Sequence, residues 1–117
     1  MTKSTYVPRR GDVIHLDFNP QKGHEQAGRR PALVLSPLDY NRIVGLAVVC
    51  PITNSQKGYA WEVPIPLGQK VTGVVLADQM KSLDWRQRRA EYLCTPATEL
   101  LHDVVDKAIA LLSPDDE

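Results

Sequence analysis

Gly23-His24-Glu25-Gln26-Ala27-Gly28-Arg29-Arg30-Pro31-Ala32-Leu33-Val34-Leu35 changes character partway along its length. Up to Pro31 it is glycine, charge and amide, the chemistry of a turning loop. Pro31 biases Arg30 toward an extended backbone at the mouth of the next segment. The run Ala32-Leu33-Val34-Leu35 is continuously apolar and stops at Ser36-Pro37, which predicts a short central strand covered on both faces. A charged loop thus delivers two guanidiniums onto the rim of a buried strand.

Upstream, residues 12–18 alternate. Ile14, Leu16 and Phe18 share one face, and Val13, His15 and Asp17 the other, as a half-buried strand requires, with His15 at the rim. Downstream, Ser36 is positioned to cap a short helical turn over residues 38–41. Residues 46–53 read as a further strand. Pro51 lacks a ladder donor there and is expected at an edge or bulge, with the last residues exposed. After a loop at 54–58, Trp61, Val63 and Ile65 alternate with Glu62 and Pro64 as an edge strand.

Residues 67–70 form a turn, and a buried strand restarts at 73–77 and runs into Asp78-Gln79-Met80-Lys81. If regular, it sets Gln79 and Lys81 on one face and Asp78, Met80 and Ser82 on the other. Residues 88–94 make a last strand. A helix then begins with Thr95 as N-cap and Pro96 at its first position. It carries a stripe of Leu101, Val104, Val105, Ala108, Ile109 and Leu112, and Ser113-Pro114 ends it. Many short strands and little intervening helix predict a mainly β fold with helices, a small antiparallel barrel closed by a C-terminal amphipathic helix.

The 117 residues suffice for one domain, 1–117, with residues 1–8 as a mobile arm and 113–117 as an acidic tail. No apolar run approaches the ~20 residues of a membrane span, and the first residues lack a signal peptide's apolar core, so a cytoplasmic protein without membrane contact is expected. Cys50 and Cys94 lie in apolar stretches and read as reduced core thiols. His15, His24 and His102 fit no metal-ligand spacing, so neither a metal nor another cofactor is expected. The net charge of zero disfavours tight non-specific wrapping of nucleic acid. Local basic patches remain available, because acidic residues gather near the C-terminus and Arg29, Arg30, Lys57, Lys81, Arg86, Arg88 and Arg89 lie centrally.

Among candidate site residues, Arg30 offers a rigid fork that can bind a phosphate bidentately and stabilise developing negative charge. It is equally readable as half of an ion pair with Glu25 or Asp78. Thr53 brings a hydroxyl to a strand end, where it can donate to a phosphate oxygen or serve only a turn. Glu25 has the chemistry of a general base and also that of a solvated partner of Arg29. His24 titrates in the right range for proton transfer. Lys57, Gln79 and Lys81 can line a phosphate track, while Trp61 and Trp85 suit base stacking or, more ordinarily, core packing.

The order of four motifs carries more than any one of them: Arg10-Gly11-Asp12-Val13-Ile14; residues 23–36; Pro51-Ile52-Thr53; and Leu76-Ala77-Asp78-Gln79-Met80-Lys81-Ser82. Over nearly the whole chain this resembles the MazF/PemK-type toxin endoribonucleases of type II toxin–antitoxin systems. The resemblance implies an SH3-like barrel and a homodimer that cuts single-stranded RNA without a metal and is neutralised by a cognate antitoxin. It implies Arg30 and Thr53 as the catalytic pair, Glu25 as a possible base, and His24, Gln26, Arg29, Lys57, Gln79 and Lys81 as RNA contacts. The implied reaction is transesterification by the ribose 2′-hydroxyl. Two rival functions share the barrel: a CcdB-like toxin that binds gyrase without cutting RNA, and an RNA-binding SH3-like module without catalysis. The Gly-x-Arg-Pro and Pro-x-Thr elements favour the nuclease, and the C-terminus lacks the apolar aromatic ending expected of gyrase binders.

Overall fold

The apolar run lies in strand β2 (Arg29–Val34), where Ala32, Leu33 and Val34 are fully buried. It is flanked by β1 (Val13–Asp17) and β3 (Leu46–Thr53) in a computed structural model that describes residues 5–18 and 28–114. The remaining strands are β4 (Glu62–Pro64), β5 (Val74–Leu76), β6 (Lys81–Asp84) and β7 (Glu91–Cys94). Helix α1 (Leu38–Val44) links β2 to β3, a 3₁₀ turn (Ala77–Gln79) links β5 to β6, and α2 (Thr98–Leu112) follows β7. All strand pairs are antiparallel, in the order β4-β5-β3-β2-β1-β7, with β6 also pairing with β3. The expected mainly β class with a C-terminal helix is therefore present. The sheet is not closed: β4 and β7 terminate its path.

Alternation sorts the core into two layers. Ile14, Leu16, Phe18, Ala32, Val34, Ala47 and Val49 cluster on one face with Leu83 and Trp85, and Tyr6 and Val7 pack against them. Val13, Leu33, Cys50, Ile52 and Val75 cluster on the other, under Leu100 and Val104 of α2. Val13 is thus fully buried, not on a polar face, because α2 covers the side assigned to solvent. The covering stripe of α2 is Leu100, Val104 and Ala108, rotated from the expected one, while Ile109 and Leu112 remain 60% and 65% exposed.

Pro51 departs most from expectation. Residues 51–53 are buried, in a strand flanked on both sides. Along one edge β3 pairs with β2 through Pro51. Along the other it pairs with β6 at residues 46–49 and with β5 at Ile52 and Thr53. Pro51 falls between these partners, where a missing N–H leaves no ladder bond broken.

Both expected caps are engaged elsewhere. The Ser36 hydroxyl accepts the Val48 N–H at 2.8 Å and donates to the buried Asn41 at 2.5 Å, so α1 begins after Pro37 without a side-chain cap and extends to Gly45. The Thr95 hydroxyl donates to Asp12 at 2.9 Å, and α2 begins after Ala97. Asp12 also receives the Tyr6 hydroxyl at 2.6 Å, which with burial pushes that phenol's pKa up. Residues 85–89 are turn, with Arg89 at φ +55°, so the last strand starts at Glu91. Cys50 and Cys94 are free thiols, and burial pushes Cys50 up to about 12, which keeps it protonated and inert.

Candidate active site

Two neighbouring arginines leave β2 on opposite faces. Arg29 pairs in register with Asp17, and Arg30 with Leu16. The Arg29 guanidinium reaches Asp17 at 3.3 Å and Glu91 at 2.8 Å, and donates to the carbonyls of Arg88 and Arg89 at 3.4 and 2.6 Å. Arg89 also bonds Asp17, at 3.1 Å. These bonds hold the Asp17 carboxyl below its ordinary value, Arg89 contributing most, and Arg29 does the same for Glu91. Arg29 therefore pins β1, β2 and the 85–89 turn together, and its bonds are those of a structural cation.

Arg30 shares its face with Ala32 and Val34. In the β2–β3 ladder Ala32 faces Pro51 and Val34 faces Val49. Each step back along β2 is a step forward along β3, so the register continued past Ala32 brings Arg30 level with Thr53. Directly opposed residues share a face, and Lys81, opposite Val49, lies on the same one. On that continued register Arg30 and Thr53 fall on the side of the sheet that carries Ala32, Val34 and Val49, with Lys81 further back along β3, opposite Val49.

Thr53 is 6% exposed, which corrects the expectation of an exposed strand end: β5 covers it through Val74. Its Oγ1 accepts the Ser55 N–H at 3.0 Å. A hydroxyl has one proton and two lone pairs. Spending a lone pair on Ser55 turns the proton into the donor that can meet a phosphate oxygen.

Three expected residues, His24, Glu25 and Gln26, lie outside the described residues. The described residues on either side of them, Phe18 and Gly28, are joined by the Phe18 N–H donating to the Gly28 carbonyl at 2.9 Å. Gln79 belongs to the 3₁₀ turn, so the expected division of faces along residues 78–82 does not hold. Asp78 in that turn receives the Tyr59 hydroxyl at 2.9 and 3.2 Å, and burial together with this bond pushes Tyr59 up to about 12. Trp85 is a core residue whose Nε1 donates to the Asn41 carbonyl at 2.9 Å, with the Arg86 guanidinium stacked 4.4 Å above its ring. Among the described residues, no three His, Cys, Asp or Glu side chains gather as a metal site.

Two residues that matter to this geometry were not singled out from the sequence. Gly73, at φ +107°, lies against the Thr53 carbonyl so closely that a Cβ there would overlap it. Glu62, assigned to the outer side of an edge strand, is buried and accepts the backbone N–H groups of Lys57 and Gly58. Gly73 meets a segment twenty residues away, whereas Glu62 bonds the loop just before it, where alternation alone assigns it to the outer face.

A buried hydroxyl at the end of β3 and a strand-held guanidinium on the neighbouring β2 are groups whose chemistry suits an anionic oxygen. The chain belongs to the PemK-like, MazF-like toxins of type II toxin–antitoxin systems, the family model matching residues 9–112. It is 49% identical over 109 residues to the endoribonuclease toxin MazF of Escherichia coli K12, covering 93% of this chain and 97% of that one. Among solved structures, the crystal structure of MazF from Deinococcus radiodurans superposes with a TM-score of 0.88 at 53% identity, over 92% of this chain and 97% of that one. A MazE–MazF structure from the same organism superposes with a TM-score of 0.82 at 47% identity, with the same coverage.

Proposed function

We propose that this toxin is a metal-independent endoribonuclease that cuts single-stranded RNA at short sequences, with Arg30 and Thr53 as its catalytic pair. The observation that supports the reading is the β2–β3 register, which when continued two residues beyond the Ala32–Pro51 pair sets Arg30 level with Thr53. The Arg30 guanidinium and the Thr53 hydroxyl stabilise the charge that builds on the non-bridging oxygens. The ribose 2′-oxygen attacks the adjacent phosphorus while its proton passes to a base, for which Glu25 is the candidate and His24 the alternative. The bond from phosphorus to the 5′-oxygen breaks, and that oxygen takes up a proton. A 2′,3′-cyclic phosphate and a 5′-hydroxyl remain. His24, Gln26, Lys57, Gln79 and Lys81 are the proposed RNA contacts. Arg29 serves by fixing the strand that carries Arg30.

Relatives named as endoribonucleases support this reading over a gyrase-binding toxin or a non-cutting RNA module. Incubating the protein with a long single-stranded RNA in excess EDTA and mapping the fragment ends tests it. Cuts at a recurring sequence with 5′-hydroxyl ends are expected. Intact RNA, 5′-phosphate ends, or cutting abolished by chelation would overturn it.

The partners follow from the same reading: a cognate antitoxin that blocks the groove, as the MazE–MazF structures suggest by analogy, and a second copy of the chain in the cytoplasm. No helix among the described residues is long and apolar enough to cross a membrane. Ile43, Val44, Ile109 and Leu112 leave an exposed apolar surface on the two helices, and Tyr40, Val48, Ile109 and Leu112 help line a groove between α1, β3 and α2. A second copy is the occupant that a homodimer supplies. Solution scattering at micromolar concentration is expected to return the mass of two chains, and a one-chain mass rules the dimer out.

A further inference from the structure

Glu62 stands in a three-residue edge strand, yet only 7% of it meets solvent. A buried carboxylate is costly unless its oxygens are satisfied. Here Oε2 accepts the Lys57 N–H at 2.9 Å and Oε1 the Gly58 N–H at 2.8 Å. Successive N–H groups beside a residue of left-handed backbone form an anion-binding concavity, and Gly58 at φ +82° supplies that residue. The Glu62 N–H returns a bond to the Tyr59 carbonyl at 3.2 Å, and the Tyr59 hydroxyl ties the same loop to Asp78. The loop so clamped starts directly after Thr53, whose hydroxyl already holds Ser55.

Resting on the RNA-cleaving reading, we propose that Glu62 is a positioning residue of the RNA groove. Its carboxylate fixes the backbone of residues 57 and 58, in the loop that leaves Thr53, so that the exposed Lys57 is presented to the RNA backbone. Glu62 touches no substrate itself. It holds the backbone from which the ammonium projects, so that part of the ordering of Lys57 precedes the arrival of RNA.

Steady-state cleavage of a short RNA carrying the mapped site tests this for E62Q, Lys57→Ala and the double variant, with thermal unfolding followed in parallel. E62Q keeps the shape of the side chain and removes one acceptor and the charge. Each single change is expected to raise KM about tenfold, the scale of one charged contact, and to leave kcat within about twofold. The double variant is expected to be no worse than Lys57→Ala alone, because both changes remove one shared contact. An unmoved KM in folded E62Q overturns the proposal, as do effects that multiply in the double variant. If E62Q does not fold, Tyr59→Phe, which loosens the same loop from its other tether, must raise KM without compounding Lys57→Ala; otherwise the proposal fails. A wild-type protein that leaves RNA uncut removes the underlying reading as well, whereas a cutting wild type with an unmoved E62Q removes this proposal alone.

Discussion

Alanine at position 30 is expected to lower kcat for RNA cleavage about a hundredfold or more, the scale of losing one preorganised charge-stabilising donor. The size of the effect comes from where the guanidinium is held. Arg30 leaves an internal strand beside the fully buried Leu16 and is restrained by Pro31, so little is spent on orienting it when the phosphate arrives. Thr53→Ala is expected to fall on the same order, since it deletes the hydroxyl whose proton is left available once its oxygen accepts the Ser55 N–H. Thr53→Ser keeps that proton and should recover most of the lost rate, which separates hydroxyl chemistry from packing. Single-turnover cleavage with a labelled RNA measures all three. Near-wild-type rates in folded Arg30→Ala would exclude the charge-stabilising role.

The largest expected loss of stability comes from Gly73→Ala. At φ +107° any L side chain is strained, and the added Cβ would meet the Thr53 backbone and the Asn54 side chain. Backbone cannot step aside as a flexible side chain can. Strain and overpacking together should cost roughly 2–5 kcal/mol, read as a fall in the denaturation midpoint. Gly68→Ala is the internal control: its φ of +91° is equally unfavourable, but nothing lies within 4 Å of its Cβ. Equal stability of the two variants would refute the close approach as the cause. Because Gly73 abuts the carbonyl of Thr53, the variant should also lose cleavage activity beyond what partial unfolding removes.

These two positions mark how far the sequence could be read. Residues 46–53 form the expected strand over its whole length, and Ala32, Leu33 and Val34 are buried as a continuous apolar run requires. Arg30 directly precedes Pro31 and Thr53 closes Pro51-Ile52-Thr53, so each stands in a short motif that the sequence displays. The misreadings share a cause: a side chain with local options took a distant one. Ser36 and Thr95 had the chemistry of caps, but Val48, Asn41 and Asp12 offered their hydroxyls buried partners. Pro51 was expected at an edge because no local rule reveals that β6 and β5 share the same side of β3 and leave a gap at that residue. Gly73 matters through its contact with Thr53 and Asn54, a segment that sequence distance hides, while Glu62 bonds the backbone of the loop just before it, which period-two alternation does not reveal.

Arg30 and Thr53 are carried by β2 and β3, the two strands at the centre of the sheet. Sites built on peripheral loops can be disarmed by a local opening that leaves the rest of the domain intact. Two groups carried by central strands are insulated from such openings: fraying of the terminal strands β4 and β7 leaves the β2–β3 ladder, and so the spacing of the two side chains, in place.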